Sequence, residues 1–376
     1  MKNLIFALSL VLLIASCKST AEEIASEEIA AEKIKAESVW MPASMPLSVD
    51  AREVFEEMEQ AIQADSFPRT TSVLLLKNDE MVYEGYFGDG HKDLLNDTRS
   101  ATKSLTALTV GVAIDEGLLT LDQSVFDILE DRLAPYENDG PLKRKITVAD
   151  LLTMSSALEC NDNDMGSPGN EENMYPLRHW ARWAADIPTR AVYDRDENGR
   201  GSFAYCTAGS FLLGQVIEEV SGETLDQFFA RTLFEPLGIS TWHWSRSPTG
   251  EYMSGGGLRL HARDLAKIGL MVLDEGQWQG EQVVPAAWIQ KATTPSVNAG
   301  ATQDYGFQFW QRTWKTSCGP MKASYMSGNG GNNVIILPAF DAVIVLTRQN
   351  YGQRGMHQQS NRLVENYVLA SMECEM

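Results

Sequence analysis

Strand-like segments near both ends of the 376-residue chain, with helical segments between them, constrain the fold most strongly. From Leu121 to about Ala262 the pattern is mainly helical. Apolar, β-branched runs predict the strands, which fall at residues 71–76, 81–87, 305–314, 334–337 and 342–347. We therefore expect an α+β fold in which both ends of the chain form one antiparallel sheet, flanked by helices and carrying a mainly helical insertion.

The part of the chain from residue 46 to residue 376 exceeds what one simple core usually holds, yet it contains no Pro/Gly/Ser-rich linker. We therefore expect one compact unit built from two interlocked subdomains. The sheet subdomain would contain residues 46–120 and 263–376, and the helical subdomain residues 121–262.

The first sixteen residues have the pattern of an export signal. Lys2 supplies a positive start, residues 4–14 are nearly unbroken apolar sequence, and two small residues follow. The apolar run is short for a membrane span, and the Ile-Ala-Ser-Cys string that ends at Cys17 resembles a bacterial lipobox. We predict that residues 1–16 are removed and that a lipid on Cys17 anchors the exported protein to a bacterial membrane in the cell envelope; an ordinary secretory signal with a chance cysteine is the alternative.

Residues 17–45 are rich in Ala, Glu, Ser and Lys and lack an apolar stripe that would dock on a core. We expect an acidic tether, with a surface helix of the domain as the alternative. The formal charge of −20 makes nucleic acid an improbable partner and argues against a basic face on anionic lipid. Membrane attachment would therefore depend on the lipid.

Ser100 carries a hydroxyl and Lys103 an amine, and the two residues are three apart in the sequence. Small and apolar residues at positions 101, 105, 108 and 112 predict a helix that places Ser100 in its first turn, with Gly117 as the C-terminal cap. Residues three apart share a helix face, and the positive end of the helix dipole favours the free amine over the ammonium ion. Lys103 would then be the base for Ser100. About one Ser-x-x-Lys is expected by chance in such a chain, so a capping serine beside a solvated lysine remains the alternative.

Residues 98–104 and 113–119 resemble the nucleophile region of the β-lactamase-related serine hydrolases. That family includes class C β-lactamases, penicillin-binding DD-peptidases, esterases and 6-aminohexanoate-dimer hydrolases. Further similar stretches cover roughly residues 50–370 in order and spacing; they are residues 203–205, 212–214, 254–258, 262–266, 305–307 and 328–331. The resemblance implies that Ser100 is the acylated nucleophile and Lys103 its base.

The family's second motif, Tyr-x-Asn, falls on Tyr205-Cys206-Thr207, where the tyrosine matches and the asparagine does not. The resemblance implies that Tyr205 passes protons to and from the leaving group; a core aromatic at the start of a helix is the alternative. Thr207 keeps a hydroxyl at a predicted substrate-binding position, but it lacks the paired donor and acceptor of a carboxamide.

The third motif, Lys-Thr-Gly or His-x-Gly, aligns best with Met326-Ser327-Gly328, so its cation is missing. Ser327 and Gly328 are predicted to contact substrate, and the backbone N–H groups of Ser100 and Asn329 to form the oxyanion hole. A glycine-rich hairpin turn without a catalytic role is the alternative. In relatives that bind β-lactams the cation helps to hold the substrate carboxylate, and its loss favours amide or ester substrates over antibiotics.

Beyond Cys17 the chain has Cys160, Cys206, Cys318 and Cys374, which allow three disulfide connectivities in an oxidising compartment. A Cys160–Cys206 disulfide beside Tyr205 would brace the site, which is a hypothesis at this stage.

The residues and the resemblance together predict a membrane-anchored serine hydrolase that cleaves a small-molecule amide or ester through an acyl-enzyme. We expect no cofactor and no metal, because the five histidines are scattered without metal-ligand spacing. One rival is a β-lactamase or DD-peptidase. The other, of a different class, is a catalytically silent lipid-tethered binding protein on the same scaffold. Oligomeric state stays open.

Overall fold

The computed structural model describes residues 48–372; the predicted signal, Cys17, the tether up to residue 45, and Cys374 lie outside them. The helices are α1 Val49–Gln63, α2 Thr102–Asp115, α3 Val125–Ile128, α4 Glu130–Leu133, α5 Val148–Leu152, α6 Trp180–Asp186, α7 Thr207–Ser221, α8 Leu225–Phe229, α9 Ala262–Leu273, α10 Ala286–Thr293 and α11 Met356–Leu363. The strands are β1 Thr70–Lys77, β2 Glu80–Tyr86, β3 Asn96–Asp97, β4 His243–Trp244, β5 Leu258–Leu260, β6 Gln277–Trp278, β7 Glu281–Gln282, β8 Val297–Gly300, β9 Gln303–Tyr305, β10 Trp310–Thr316, β11 Gly319–Gly328, β12 Asn332–Leu337 and β13 Ala342–Arg348.

Eight strands form the main sheet in the order β2-β1-β13-β12-β11-β10-β9-β8. The N-terminal β1 pairs antiparallel with β13, the last strand, with Val73 opposite Leu346. Asn78 and Asp79 both have positive φ and form the tight turn between β1 and β2. The α+β fold with a sheet made by both ends of the chain is therefore confirmed, whereas the exact subdomain boundaries stay a prediction.

Two details of the strand prediction were wrong. The strand expected at residues 305–314 is two strands, because β9 ends at Tyr305 and β10 begins at Trp310, with a reversal between them. Strand β11 was not predicted, because its first half alternates partly buried and exposed residues and starts with Gly319 and Pro320, which are weak strand formers.

The two faces of the sheet pack against different helices. On one face α1 and the C-terminal helix contribute Phe55, Met58 and Leu363 to a fully or almost fully buried apolar cluster. On the other face α9 lies against β12 and β13. A Cβ at Gly269 of α9 would lie 2.5 Å from Cγ1 of Val343, so glycine permits this close approach. Within residues 48–372 no helix has the length and apolarity to cross a membrane.

Candidate active site

Ser100 lies in a 3₁₀ turn, Arg99–Ala101, that leads directly into α2. Arg99 has a φ of 50°, an unfavourable value for a residue with a side chain, and the following Ser100 lines a cleft. The hydroxyl of Thr98 fixes the turn by donating to the carbonyl of Leu258 at 2.7 Å. Ser100, the predicted nucleophile, thus lies on a sharp turn that is hydrogen-bonded to the neighbouring strand β5.

Helix α2 is buried on almost every side, so its polar residues are satisfied internally. Ser104 donates to the carbonyl of Gln308 at 2.6 Å, and Thr106 donates to the carbonyl of Ser254 at 2.8 Å. The helix ends at Asp115, and Gly117 follows with a φ of 73°, as the capping pattern predicted. These bonds hold the helix that follows Ser100 and carries Lys103.

Lys103 is hydrogen-bonded to Ser100, the predicted nucleophile. Its side chain is 1% exposed, and its Nζ lies 3.0 Å from Oγ of Ser100. The same Nζ donates to the carbonyl oxygen of Gly255 at 2.6 Å and lies 5.0 Å from the ring centroid of Tyr205. Two hydrogen bonds and the ring of Tyr205 therefore hold the Lys103 amine beside the Ser100 hydroxyl. This is the geometry that a general base requires.

Tyr205 lies in the segment before α7, half-buried in the cleft wall. Its ring stacks on Trp310 with the centroids 5.7 Å apart. Tyr305 also packs against Trp310; burial raises the pKa of Tyr305 well above its usual range, and Tyr205 raises it further. Tyr305 therefore remains a neutral phenol, and Tyr205 is the tyrosine that faces both Lys103 and the cleft.

The third predicted motif lies at the end of β11. Met326 is fully buried and does not line the cleft, whereas Ser327, Gly328 and Asn329 do. A Cβ at Gly328 would lie 2.1 Å from the carbonyl oxygen of Thr98, so only glycine allows β11 to pass this close to the nucleophile turn. The structure brings Ser100 and Asn329 to one cleft; their role as oxyanion donors stays a prediction.

Thr207 does not line the cleft. It is fully buried as the first residue of α7, and its hydroxyl has no hydrogen-bond partner among the described residues. Its N–H donates to Oδ2 of Asp162 at 2.6 Å. Substrate contact by Thr207 stays a prediction to which this placement adds no support, because the buried hydroxyl is separated from the cleft.

A disulfide joins Cys160 to Cys206, as hypothesised from their position near Tyr205. Cys318 is also disulfide-bonded. The Cys160–Cys206 bond links the loop that precedes α6 to the segment that carries Tyr205. It therefore crosslinks two of the walls of the cleft.

The cleft has a volume of about 350 Å³. Its carboxylates are Asp162 and Glu171, and among the described residues that line it there is no lysine or arginine. Further lining comes from polar and aromatic side chains, which include Gln303, Trp310 and Tyr325, and from His357 of α11. A substrate with a carboxylate would thus meet negative rather than positive charge.

The sequence analysis did not identify three groups of this site. They are the carboxylate of Asp162, the carbonyl of Gly255 and the ring of Trp310. The glycine run at residues 254–257 was noticed through the family resemblance, but nothing in a sequence shows which backbone carbonyl meets Lys103. Within residues 48–372 no group of three or more His, Cys, Asp or Glu side chains is arranged to hold a metal ion.

The family model described as Beta-lactamase matches residues 55–365. The chain belongs to this family. The enzyme is therefore a serine hydrolase of the β-lactamase fold, and its relatives include proteins named as hydrolases. One is the 6-aminohexanoate-dimer hydrolase of Paenarthrobacter ureafaciens, 27% identical over 329 residues that cover 81% of this chain and 78% of the relative.

Two solved structures with names of the same type share the fold. A family VIII carboxylesterase has a TM-score of 0.62 and 18% identity, with 86% of this chain and 98% of that one covered. A D-stereospecific amidohydrolase from Streptomyces sp. has a TM-score of 0.61 and 19% identity, with 85% and 98% covered. At this identity they show the fold of this β-lactamase family member and nothing about its substrate.

Proposed function

We propose that this chain is an exported, lipid-anchored hydrolase that cleaves an amide or ester through an acyl-enzyme on Ser100. The observation that carries the proposal is the 3.0 Å contact between Nζ of Lys103 and Oγ of Ser100 at the edge of an open cleft. A buried amine with a hydroxyl as neighbour has few structural uses, whereas a nucleophile needs such a base.

In the proposed reaction Oγ of Ser100 attacks the substrate carbonyl carbon, and the hydroxyl proton passes to Lys103. The carbonyl oxygen becomes an oxyanion, which the N–H groups of Ser100 and Asn329 would stabilise. As the C–N or C–O bond breaks, the leaving group takes a proton by way of Tyr205. Water then attacks the acyl-enzyme, gives up a proton to the same network, and releases the acid and free Ser100.

The charges of the cleft favour a neutral or cationic small molecule over an anionic one. The cation of the family's third motif is replaced by the buried Met326, and the lining carboxylates Asp162 and Glu171 oppose a substrate carboxylate. This arrangement supports an amidase or esterase over a β-lactamase or DD-peptidase, whose substrates present a carboxylate.

Export is supported by the disulfide chemistry. The Cys160–Cys206 bond and a second disulfide at Cys318 are typical of oxidising compartments outside the cytoplasm. Attachment through Cys17 predicts that radiolabelled palmitate is incorporated into the full chain expressed in bacteria and that Cys17→Ser abolishes the label. Equal labelling of the variant would contradict the anchor without affecting the catalytic proposal.

The catalytic proposal is tested by intact-protein mass spectrometry of a soluble form without residues 1–17, incubated with a fluorophosphonate and, separately, with a penicillin. We expect one fluorophosphonate adduct, which Ser100→Ala abolishes and which the control Ser66→Ala, at an exposed serine that does not line the cleft, retains. A penicillin adduct would instead favour the cell-wall alternative. No adduct, or one that survives Ser100→Ala, would contradict catalysis by Ser100 and favour a silent binding protein.

A further inference from the structure

We propose that Asn333 determines substrate specificity in this reaction by binding an uncharged hydrogen-bonding group of the substrate, such as a second amide carbonyl. The inference rests on the proposed function of Ser100 and Lys103, and it narrows the class of molecule that the cleft accepts. It begins from a buried carboxamide that lines the cleft although no sequence motif points to it.

The strand pairing directs the side chain of Asn333 towards the cleft. Asn333 lies on β12 directly opposite Ser327 of β11. Residues directly opposite each other in an antiparallel pair have their side chains on the same face of the sheet. Ser327 lines the cleft, and Asn333 lines it too, although Asn333 is only 3% exposed. A substrate that binds at Ser100 and extends across β11 towards β12 would therefore meet this carboxamide.

The carboxamide of Asn333 carries a donor that the folded chain leaves unpaired. Its Nδ2 is buried and has no hydrogen-bond partner among residues 48–372. Buried polar groups in proteins are nearly always hydrogen-bonded, and an unpaired one costs free energy of folding. Because this donor lies at a cleft beside a serine nucleophile, an oxygen atom of a bound substrate is the partner that it fits.

The preceding residue shows how the chain treats an asparagine with a structural role. Asn332 is also 3% exposed, but its Oδ1 accepts from the N–H of Arg348 at 2.9 Å. Its Nδ2 donates to the carbonyl of Asn329 at 2.9 Å and to that of Asp97 at 3.2 Å. The two asparagines are thus equally buried, yet the folded chain satisfies only the first, so burial in the sheet does not by itself explain Asn333.

The helix beside β12 contributes uncharged side chains to the cleft. Helix α11 contacts β12, and three of its residues line the cleft; they are Met356, His357 and Asn361. Burial lowers the pKa of His357, and the charge of Arg348 lowers it further, so the imidazole is neutral at neutral pH. A carboxamide with neutral neighbours matches a carbonyl, amide or hydroxyl group of a substrate.

The first measurement compares two fluorophosphonates as labels of Ser100, because labelling needs no knowledge of the substrate. One carries a butyl group on phosphorus, and the other an acetamidomethyl group of the same length, so only the second presents an amide. We expect Asn333→Leu to lower the ratio of the amide-probe rate to the butyl-probe rate by about five- to tenfold relative to wild type. Asn198→Leu, at an exposed asparagine that does not line the cleft, should keep the wild-type ratio.

The second measurement is the melting temperature, which separates substrate binding from a structural role. Asn332→Leu removes three hydrogen bonds of a buried side chain and should lower the melting temperature by about 3 °C or more. Asn333→Leu replaces an unpaired donor with an apolar group of similar size. Its melting temperature should therefore lie within about 1 °C of wild type or above it.

An unchanged ratio of labelling rates in Asn333→Leu would overturn the inference. A fall in melting temperature as large as that of Asn332→Leu would also overturn it, because Asn333 would then be structural. If Asn333→Leu does not fold, Asn333→Ala must show the same fall in the ratio, or the inference fails. Wild-type protein that neither probe labels at Ser100 would contradict the proposed function itself, which distinguishes the two failures.

Discussion

Lys103 and Lys143 are both buried lysines, yet of the two only Lys103 also contacts a serine hydroxyl, that of Ser100. Lys103 is 1% exposed and Lys143 is 0% exposed. Each donates to a backbone carbonyl, of Gly255 at 2.6 Å and of Ala185 at 2.5 Å respectively, and each lies against an aromatic ring.

The difference lies in what else each amine reaches. Lys143 is packed against the rings of Phe126 and Tyr136 in the helical region, with centroids 5.2 and 5.7 Å away, and its Nζ has no hydrogen bond to a serine or cysteine side chain of residues 48–372. Lys103 reaches Oγ of Ser100, which lines an open cleft. Burial of a lysine therefore does not by itself indicate catalysis; a reactive partner that a substrate can approach does.

The largest effect that would test this comparison is on activity. We expect Lys103→Ala to lower the rate of labelling of Ser100 by about 10³-fold, because the hydroxyl loses its base. Lys143→Ala should leave the rate of the folded protein within about threefold of wild type, since it touches no reacting group. Mass spectrometry of the time course measures both; comparable losses in the two folded variants would contradict the distinction.

The next effect is on stability, and here we expect Lys143→Ala to lose more than Lys103→Ala. Lys143→Ala leaves a cavity and an unpaired carbonyl at Ala185, and we expect it to lower the free energy of unfolding by about 2–4 kcal/mol. Lys103→Ala should cost less, because water from the cleft can reach the vacated carbonyl of Gly255. Urea denaturation of both variants measures the two losses, and a greater loss for Lys103→Ala would break the comparison.

The smallest effect concerns pH. Burial lowers the pKa of Lys143 from 10.5 to about 8 in the folded protein. Between these values the unfolded chain binds more protons at this residue than the folded one, so the free energy of unfolding should rise with pH from about 8 towards 10.5. Urea titrations of the wild type and of Lys143→Met at pH 7.5 and 9.5 isolate this contribution. A difference between the two proteins that does not change with pH would contradict it.

The fold was largely predictable because most of its strands are apolar runs that can be recognised from neighbouring residues in the sequence. Apolar, β-branched runs identified β1, β2, β12 and β13, and the pairing of β1 with β13 agrees with one sheet made by both ends of the chain. Strand β11 was not predicted because its pairing with β10 and β12, rather than its own residues, determines that it is a strand. Context of this kind comes only from the neighbours in the sheet.

The residues of the candidate site were also predictable only in part. The spacing of Ser100 and Lys103 and the family resemblance were enough to predict nucleophile, base and Tyr205, because three-residue separation on a helix fixes proximity. The sequence by itself thus predicted which side chains would react. Only the tertiary structure placed Asp162, Gly255 and Trp310 around them and buried Thr207, because hydrogen bonds and stacking between segments tens of residues apart depend on how the chain is packed.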